Sequence, residues 1–521
     1  MAVIGCHKRG AAAARTQAGD TPAAVVVAAA RQQDFPGIDA MNAVTTELND
    51  AIPPLRQAFE RMRSAFHADM APTLATRRDR LARVARMTRR HARDIIDAIS
   101  ADFGHRSPHE TLIADLLAVD ESIRHARRHL SRWMRPQRIA TGLKYRPGYN
   151  RLMAQPLGVV GVVAPWNYPY QLSMLPAVAA LAAGDRVMIK PSELAPTTAL
   201  LMARIVRESF GEDELAVFPG DAEVGKAFVA LPFDHLFFTG STAVGRIVAQ
   251  AAAKNLTPVT LELGGKSPVI VDADGAFETI APKIAIGKLF NAGQTCIAPD
   301  YALVPRARAE EFAAAMTRAI GKLYPTLAGN RDYTSIVNER HYARLAGLLA
   351  DARSRGARIV EVNPSGETLD PSARKIAPAL ILDTGDEMAV MREEIFGPLL
   401  PVVAYDSLDD AIGYVNRRDR PLALYWFGDN AARRDRVLHG TIAGGVTVNG
   451  CLTHFAQEAQ PFGGVGASGS GSYHGVYGFR AFSKEKPVYY QGRLGIMPLL
   501  LPPYGALLDR VLAWFVRGGR R

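Results

Sequence analysis

Between Val159 and Leu263 the sequence alternates short apolar runs with amphipathic stretches, and nothing else in the chain restricts the fold as tightly. Val159 to Val163, Val187 to Lys190, Leu215 to Phe218, Leu236 to Phe238 and Val259 to Leu263 read as buried strands. Helical spacing fills the intervals near 170–183, 196–209, 222–230 and 243–254. A strand with continuous apolar wording is covered on both faces, and parallel neighbours need a crossover helix between them. The pattern therefore predicts an α/β fold built on a parallel sheet. A second α/β stretch carries candidate strands at Ile376 to Leu382, Leu400 to Tyr405 and Val446 to Val448. Ahead of the first, Ile52 to Met134 reads as helix, with Leu112, Leu116, Val119 and Ile123 aligned on one side of a long run that Pro136 ends. Gly142, Pro147 and Gly148 between short extended pieces suggest a hairpin over 141–155.

A chain of 521 residues exceeds one hydrophobic core and divides into about three domains or subdomains. The net charge of +11 raises the question of nucleic acid. Much of the excess is arginine spread around one helix, at Arg77, Arg78, Arg80, Arg83, Arg86, Arg89, Arg90 and Arg93. That spacing describes a solvated helix, and no nucleic-acid-binding motif accompanies it. Three cysteines in this length argue for a reducing compartment, and the expected location is the cytoplasm. No apolar run is long enough to span a bilayer. Residues 1–40 are low in complexity and read as a disordered extension, or as a start placed ahead of Met41. Near the other end, 504–517 has amphipathic spacing, which suits a terminal helix docked on the body and would also permit weak contact with a membrane surface. The glycine- and serine-rich segment 461–478 carries Phe462, Tyr473 and Tyr477, so it reads as a packed loop lining a site.

Cys296 follows Asn291-Ala292-Gly293-Gln294-Thr295, which places a sulfur on a glycine-containing turn. The thiolate is the reactive form and an unperturbed thiol titrates near about 8.5, so a nucleophile at this position needs local help. By itself the segment is equally a buried structural cysteine. Its company changes the reading. Pro165-Trp166-Asn167-Tyr168-Pro169, Lys190-Pro191-Ser192-Glu193, Phe238-Thr239-Gly240-Ser241, Leu261-Glu262-Leu263-Gly264-Gly265-Lys266 and Glu394-Ile395-Phe396-Gly397-Pro398 occur in the order found in aldehyde dehydrogenases. From about residue 50 to 492 the chain resembles that family.

The resemblance implies a role for each segment. Cys296 would be the nucleophile, Asn167 and the Cys296 amide the oxyanion donors, and Glu262 the base that activates water. Without the resemblance, Glu262 is an ordinary charge at a strand end. There is no G-x-G-x-x-G after a strand. Instead Gly240, Ser241 and Gly245 open a helix after Leu236 to Phe238, and helix N-terminal amides with a small side chain can hold a pyrophosphate. The family also implies that Lys190, Ser192 and Glu193 contact the adenosine ribose, and that Glu394 and Phe396 hold the nicotinamide ribose and ring. Phe396 is otherwise plain core. The Glu193 carboxylate favours NAD, and Lys190 beside it leaves NADP open. No metal is expected.

Further wording, from Asn291 to Tyr301, Pro461 to Gly466, Tyr473-His474-Gly475 and Phe482 to Pro487, is similar to the class 3 branch, and most similar to its coniferyl aldehyde dehydrogenases. An aromatic aldehyde is the implied substrate, with aliphatic aldehydes or transfer to coenzyme A as alternatives. Tyr168, His454 and Phe455 would line its tunnel, although Asn449 to Phe455 departs from the expected wording, and His454 reads equally as a packed histidine. The implied architecture is a Rossmann-type cofactor domain (41–135 and 156–264), an α/β catalytic domain (265–479), a small β oligomerisation arm (136–155 and 480–492) and a tail (493–521). A homodimer is the expected assembly.

Overall fold

Five apolar runs between residues 159 and 262 pair edge to edge; four are buried on nearly all positions, and Val259–Glu262 alternates half-buried with buried residues. The computed structural model describes residues 54–493 and 500–518. In it they form a six-stranded sheet ordered Gly469–Ser470, Val259–Glu262, His235–Thr239, Val159–Val163, Arg186–Lys190, Leu215–Val217. Only Gly469–Ser470 runs antiparallel to its neighbour. From Val159–Val163 the chain winds outward through Arg186–Lys190, then returns to the other side at His235–Thr239. A sheet that reverses order in this way opens a crevice at the carboxyl ends of the two diverging strands. Helices Gln171–Ala183, Pro196–Ser209, Ala222–Val229 and Thr242–Ala253 supply the crossovers.

The second sheet has seven strands, ordered Arg358–Glu361, Ala379–Leu382, Leu399–Tyr405, Tyr301–Pro305, Pro268–Val271, Ala423–Phe427, Gly445–Val448. All pairs are parallel except the edge pair of Arg358–Glu361 with Ala379–Leu382. Four of these strands carry no distinctive wording. Pro268–Val271 opens on proline, Arg358–Glu361 is charged at both ends, and Tyr301–Pro305 and Ala423–Phe427 are short apolar runs that periodicity alone cannot separate from helix. A third sheet joins Gln137–Ile139, Tyr149–Pro156 and Ser483–Tyr490, all antiparallel.

Two local features depart from the expected pattern. The long helical run is interrupted by a π-helical segment, Leu112–Leu117, flanked by Pro108–Thr111 and Ala118–Trp133. The extra residue per turn leaves Ile113 and Leu117 exposed while Asp115 is buried. The terminal helix forms as Ala506–Gly518, but none of its residues is buried, and Trp514 and Phe515 are each 74% exposed. The docked arrangement is therefore corrected: among the described residues its apolar side has no partner. No helix among the described residues is long and apolar enough to cross a membrane. Residues 1–40, with the question of Met41, lie outside the described residues.

Phe237 ties the first sheet to the glycine-rich segment. It is fully buried, with ring centroids 5.0 Å from Tyr473 and 6.0 Å from Phe482. Phe237→Ala is expected to lower stability by about 3–5 kcal/mol, read as a fall in the urea midpoint, since the cavity opens at a junction of two elements. A change below about 1 kcal/mol would show that the segment does not depend on this contact.

Candidate active site

Cys296 is placed by a turn that most residues avoid. Helix Phe277–Leu289 ends, and Asn291 (φ 55°) and Ala292 (φ 52°) then take left-handed backbone, followed by Gly293 (φ 78°). Such conformations cost of order 1–3 kcal/mol for a residue with a side chain, so the surroundings must impose them. Hydrogen bonds do so. The Asn291 amide donates to Glu110 Oε1 at 3.1 Å, and its side-chain Nδ2 donates to the Asn167 carbonyl at 3.1 Å. Gln294, fully buried, donates from Nε2 to the Asn291 and Ser335 carbonyls (both 3.0 Å) and accepts from the Val337 amide at 2.9 Å. A Cβ on Gly293 would meet the Gly397 carbonyl, so only glycine lets the two chains pass.

Asn167 approaches the turn from the other sheet, just beyond strand Val159–Val163. Its Nδ2 donates to the Gln294 carbonyl at 3.1 Å, which leaves one N–H of the amide for another acceptor. Arg106 holds the Asn167 carbonyl at 2.9 Å, pairs with buried Asp115 at 3.1 Å and stacks 4.7 Å from the Tyr168 ring. The Tyr168 hydroxyl and Thr295 Oγ1 satisfy one another at 2.6 Å.

Glu262 ends strand Val259–Glu262. It is 3% exposed, and neither carboxyl oxygen has a hydrogen-bond partner among the described residues. Burial raises it well above the usual carboxylate range. Burial, with Glu394 and Glu262 nearby, pushes the Cys296 thiol up to about 12, against weak opposition from the Cys296 and Ile297 amides. Burial thus biases both groups toward their neutral forms. Burial also lifts Glu394 to about 8. A Cβ on Gly264 would collide with the Glu394 carboxyl, so that carboxyl lies directly against the backbone after Glu262.

Ser241 and Lys190 lie at the carboxyl ends of the two strands that flank Val159–Val163, and Phe396 precedes strand Leu399–Tyr405 of the second sheet. Ser241 caps helix Thr242–Ala253, accepting from the Val244 amide at 3.4 Å. Side chains on Gly240 and Gly245 would meet the Phe238 ring at 2.5 Å and Leu263 at 2.6 Å. Val244 (46%) and Ile247 (61%) are exposed on that helix, giving an apolar face beside its N-terminus. Lys190 is buried, donates from Nζ to the Pro191 carbonyl at 2.8 Å and lies 3.9 Å from the exposed Glu193 carboxylate; Ser192 Oγ accepts from the Leu194 amide. Phe396 (φ 53°) packs edge-on against Trp166 at 5.4 Å. Among the described residues no cluster of His, Cys, Asp and Glu could hold a metal.

A cavity of about 370 Å³ leads to Cys296. Tyr168 and Phe455 line it, as do Ile113 and Leu117 of the π segment, Glu458 and His474. His454 is not among its lining residues, which corrects the expectation for it: its Nδ1 pairs with Thr447 Oγ1 at 2.8 Å, and its ring packs on Tyr425 and Phe462. Glu458 and His474 had no sequence signal beyond the Tyr473-His474-Gly475 wording.

The profile of the aldehyde dehydrogenase family matches residues 45–488. The chain belongs to that family. The coniferyl aldehyde dehydrogenase of a Pseudomonas species is 47% identical over 463 residues, covering 88% of this chain and 95% of its own. Among solved structures, AldH of Staphylococcus aureus, in a substrate-bound state, is 37% identical with a TM-score of 0.83, covering 88% of this chain and 99% of its own. The indole-3-acetaldehyde dehydrogenase AldA of P. syringae, solved with NAD+ and IAA, is 26% identical with a TM-score of 0.77, covering 85% and 89%.

In this aldehyde dehydrogenase the resting thiol is neutral, and that has a measurable consequence. Alkylation of Cys296 by iodoacetamide in the cofactor-free protein should be slow at neutral pH and rise about tenfold per pH unit to about pH 10, following the thiolate fraction. Peptide mass mapping reads the rate, and a pH-independent rate would contradict the raised thiol.

Proposed function

We propose that the protein oxidises an aldehyde to a carboxylic acid with NAD as hydride acceptor, and that its substrate is coniferyl aldehyde or a related aromatic aldehyde. The observation that carries this reading is that Cys296 lines a largely apolar cavity, with Glu262, unpartnered among the described residues, close enough to act on the thiol electrostatically and with Asn167 Nδ2 bonded to the turn that carries the cysteine. The 47% identity to a coniferyl aldehyde dehydrogenase supports the aromatic substrate. The cofactor has a fitting place: open amides at the start of helix Thr242–Ala253, glycines where side chains would collide, an apolar helix face, and the Glu193 and Glu394 carboxyls to accept from hydroxyls. Glu193 would repel a 2′-phosphate, which favours NAD over NADP. Ser192 and Lys190 shape the same ribose-binding turn, and Phe396 borders the nicotinamide end.

The chain's own groups carry the covalent chemistry. Cys296 Sγ gives up its proton to water, the thiolate bonds to the carbonyl carbon as the C=O π pair moves to oxygen, and the oxygen that gains charge accepts from N–H groups of Asn167 and the Cys296 backbone. NAD supplies the acceptor for the hydride that leaves the carbon. A thioester on Cys296 results. Glu262 then takes a proton from water as the water oxygen attacks that carbon, the sulfur departs as thiolate, and the acid is released. A carboxyl held high by burial is a strong base once ionised, which suits it to this step. The cysteine ionises less readily than an ordinary thiol until the charge around it changes, so reactivity waits on the assembled site.

Residues 41–135 and 156–264 form the cofactor domain in this reading, 265–479 the catalytic domain, and 136–155 with 480–492 the arm. Strand Ser483–Tyr490 is an edge of its sheet with Tyr489 and Tyr490 exposed, which suits pairing with a second copy in a homodimer. The few cysteines fit a reducing cytoplasm.

Cys296→Ser should abolish aldehyde-dependent NADH formation while NAD binding by fluorescence titration persists. Substantial retained turnover would sink the assignment. Glu262→Gln should stall at the thioester, so intact-mass spectrometry should show protein plus acyl group after mixing with aldehyde and NAD. Normal turnover in that variant would mean that another base activates water.

A further inference from the structure

Most of the cavity in front of Cys296 is apolar, and its polar lining consists of Tyr168, Thr295, Gln171, Glu121, Glu458 and His474. Those near the sulfur are already satisfied, as Tyr168 and Thr295 bond to each other. Glu458 and His474 are different. Both hydrogen bonds of Glu458 go to Oε2, from Ser122 Oγ at 3.2 Å and the Gly475 amide at 3.3 Å, so Oε1 has no partner among the described residues. His474 is 3% exposed, and neither ring nitrogen has a partner among the described residues. Buried polar atoms are nearly always paired, so two orphaned nitrogens lining a cavity point to a ligand group.

The histidine is also held in place. Its ring centroid lies 4.9 Å from Phe455, 5.6 Å from Phe462 and 4.4 Å from Tyr473. Its backbone is left-handed (φ 81°), a conformation that a residue other than glycine keeps only when its surroundings enforce it. Glu458 and His474 also line a second cavity, about 10 Å³, with Ser122, Trp133 and Tyr473. That is room for about one water, within reach of Ser122, Glu458 and His474 on an otherwise apolar wall. Burial lifts the Glu458 carboxyl to about 7 and pushes the imidazole down to about 3, so the histidine is neutral, with one N–H donor and one acceptor nitrogen.

We infer that Glu458 and His474 are specificity-determining residues that read a hydroxyl on the ring of an aromatic aldehyde bound at Cys296. The hydroxyl donates to Glu458 Oε1, and its oxygen accepts from the His474 N–H. Phe455 presents its face or edge to the ring that carries the hydroxyl. This inference rests on the aldehyde-oxidation reading and adds the chemistry that selects among aldehydes. An apolar pocket discriminates weakly against an added hydroxyl, whereas a site built to bond one rejects the analogue that lacks it.

The test compares kcat/KM for 4-hydroxycinnamaldehyde and cinnamaldehyde, with NAD, in the natural protein and in Glu458→Leu, Glu458→Gln and His474→Phe. The natural protein should prefer the hydroxylated aldehyde by about tenfold or more. Glu458→Leu and His474→Phe should each shrink that ratio by about tenfold, through the hydroxylated substrate, while Glu458→Gln, which keeps a hydrogen-bonding side chain, should retain part of it. The ratio is taken within one preparation, so partial folding cancels. A ratio unchanged in both Glu458→Leu and His474→Phe overturns the inference even if both aldehydes are oxidised well. If the natural protein oxidises neither aldehyde, the aldehyde-oxidation reading fails by itself. Calorimetric binding of 4-hydroxycinnamate against cinnamate then decides the site: a preference that Glu458→Leu removes supports it, and equal binding overturns it.

Discussion

Everything at the candidate site depends on a stretch of left-handed backbone at Asn291, Ala292 and Gly293. Its strain is offset by hydrogen bonds to a helix and two loops, from Asn291 to Glu110 and Asn167, and from Gln294 to Ser335 and Val337. The same contacts place Asn167 against the cysteine turn. The donor for the oxyanion and the nucleophile are thereby fixed by one network, so neither can drift without breaking the other's support. The network is buried and each bond leaves a costly orphan if lost, which explains why amides and carbonyls, with no apolar substitutes, fill it.

Around this network the site stores very little charge. Cys296, Glu262 and Glu394 are all pushed toward their neutral forms, chiefly by burial. A buried environment that suppresses ionisation also magnifies any charge introduced into it. A cation or a developing oxyanion would therefore redistribute protons among these groups more strongly than in water. The crevice where the sheet order reverses lies between the segments that carry Asn167 and Gly240. The long-range side-chain bonds of Asn167, Asn291 and Gln294 then hold the cysteine turn against the segment that leaves this crevice.

The parallel core was legible because its strands are continuous apolar runs and its helices have clear spacing. The residues of the site were legible because ordered motifs carry a resemblance, not because their chemistry declares itself: Glu262 alone is a carboxylate at a strand end. What the wording did not reveal has physical reasons. Strands Tyr301–Pro305 and Ala423–Phe427 are too short to show a period. His454 and His474 differ only in where a left-handed turn and an aromatic cluster aim them; one faces Thr447 and the other the cavity. The exposed helix Ala506–Gly518 has the amphipathic pattern of a docked one, and spacing cannot say whether a partner surface exists.

The π segment Leu112–Leu117 forms part of the cavity wall and also reaches the network behind Asn167. Its wide turn corresponds to one residue more than an ordinary helix needs, so Ile113 and Leu117 move against the substrate while Asp115 stays on Arg106. The same turn thus shapes the cavity wall with Ile113 and Leu117 on one side and, through Asp115 and Arg106, holds the Asn167 carbonyl on the other, so the fit of the substrate and the position of the oxyanion donor are tied to one surface helix.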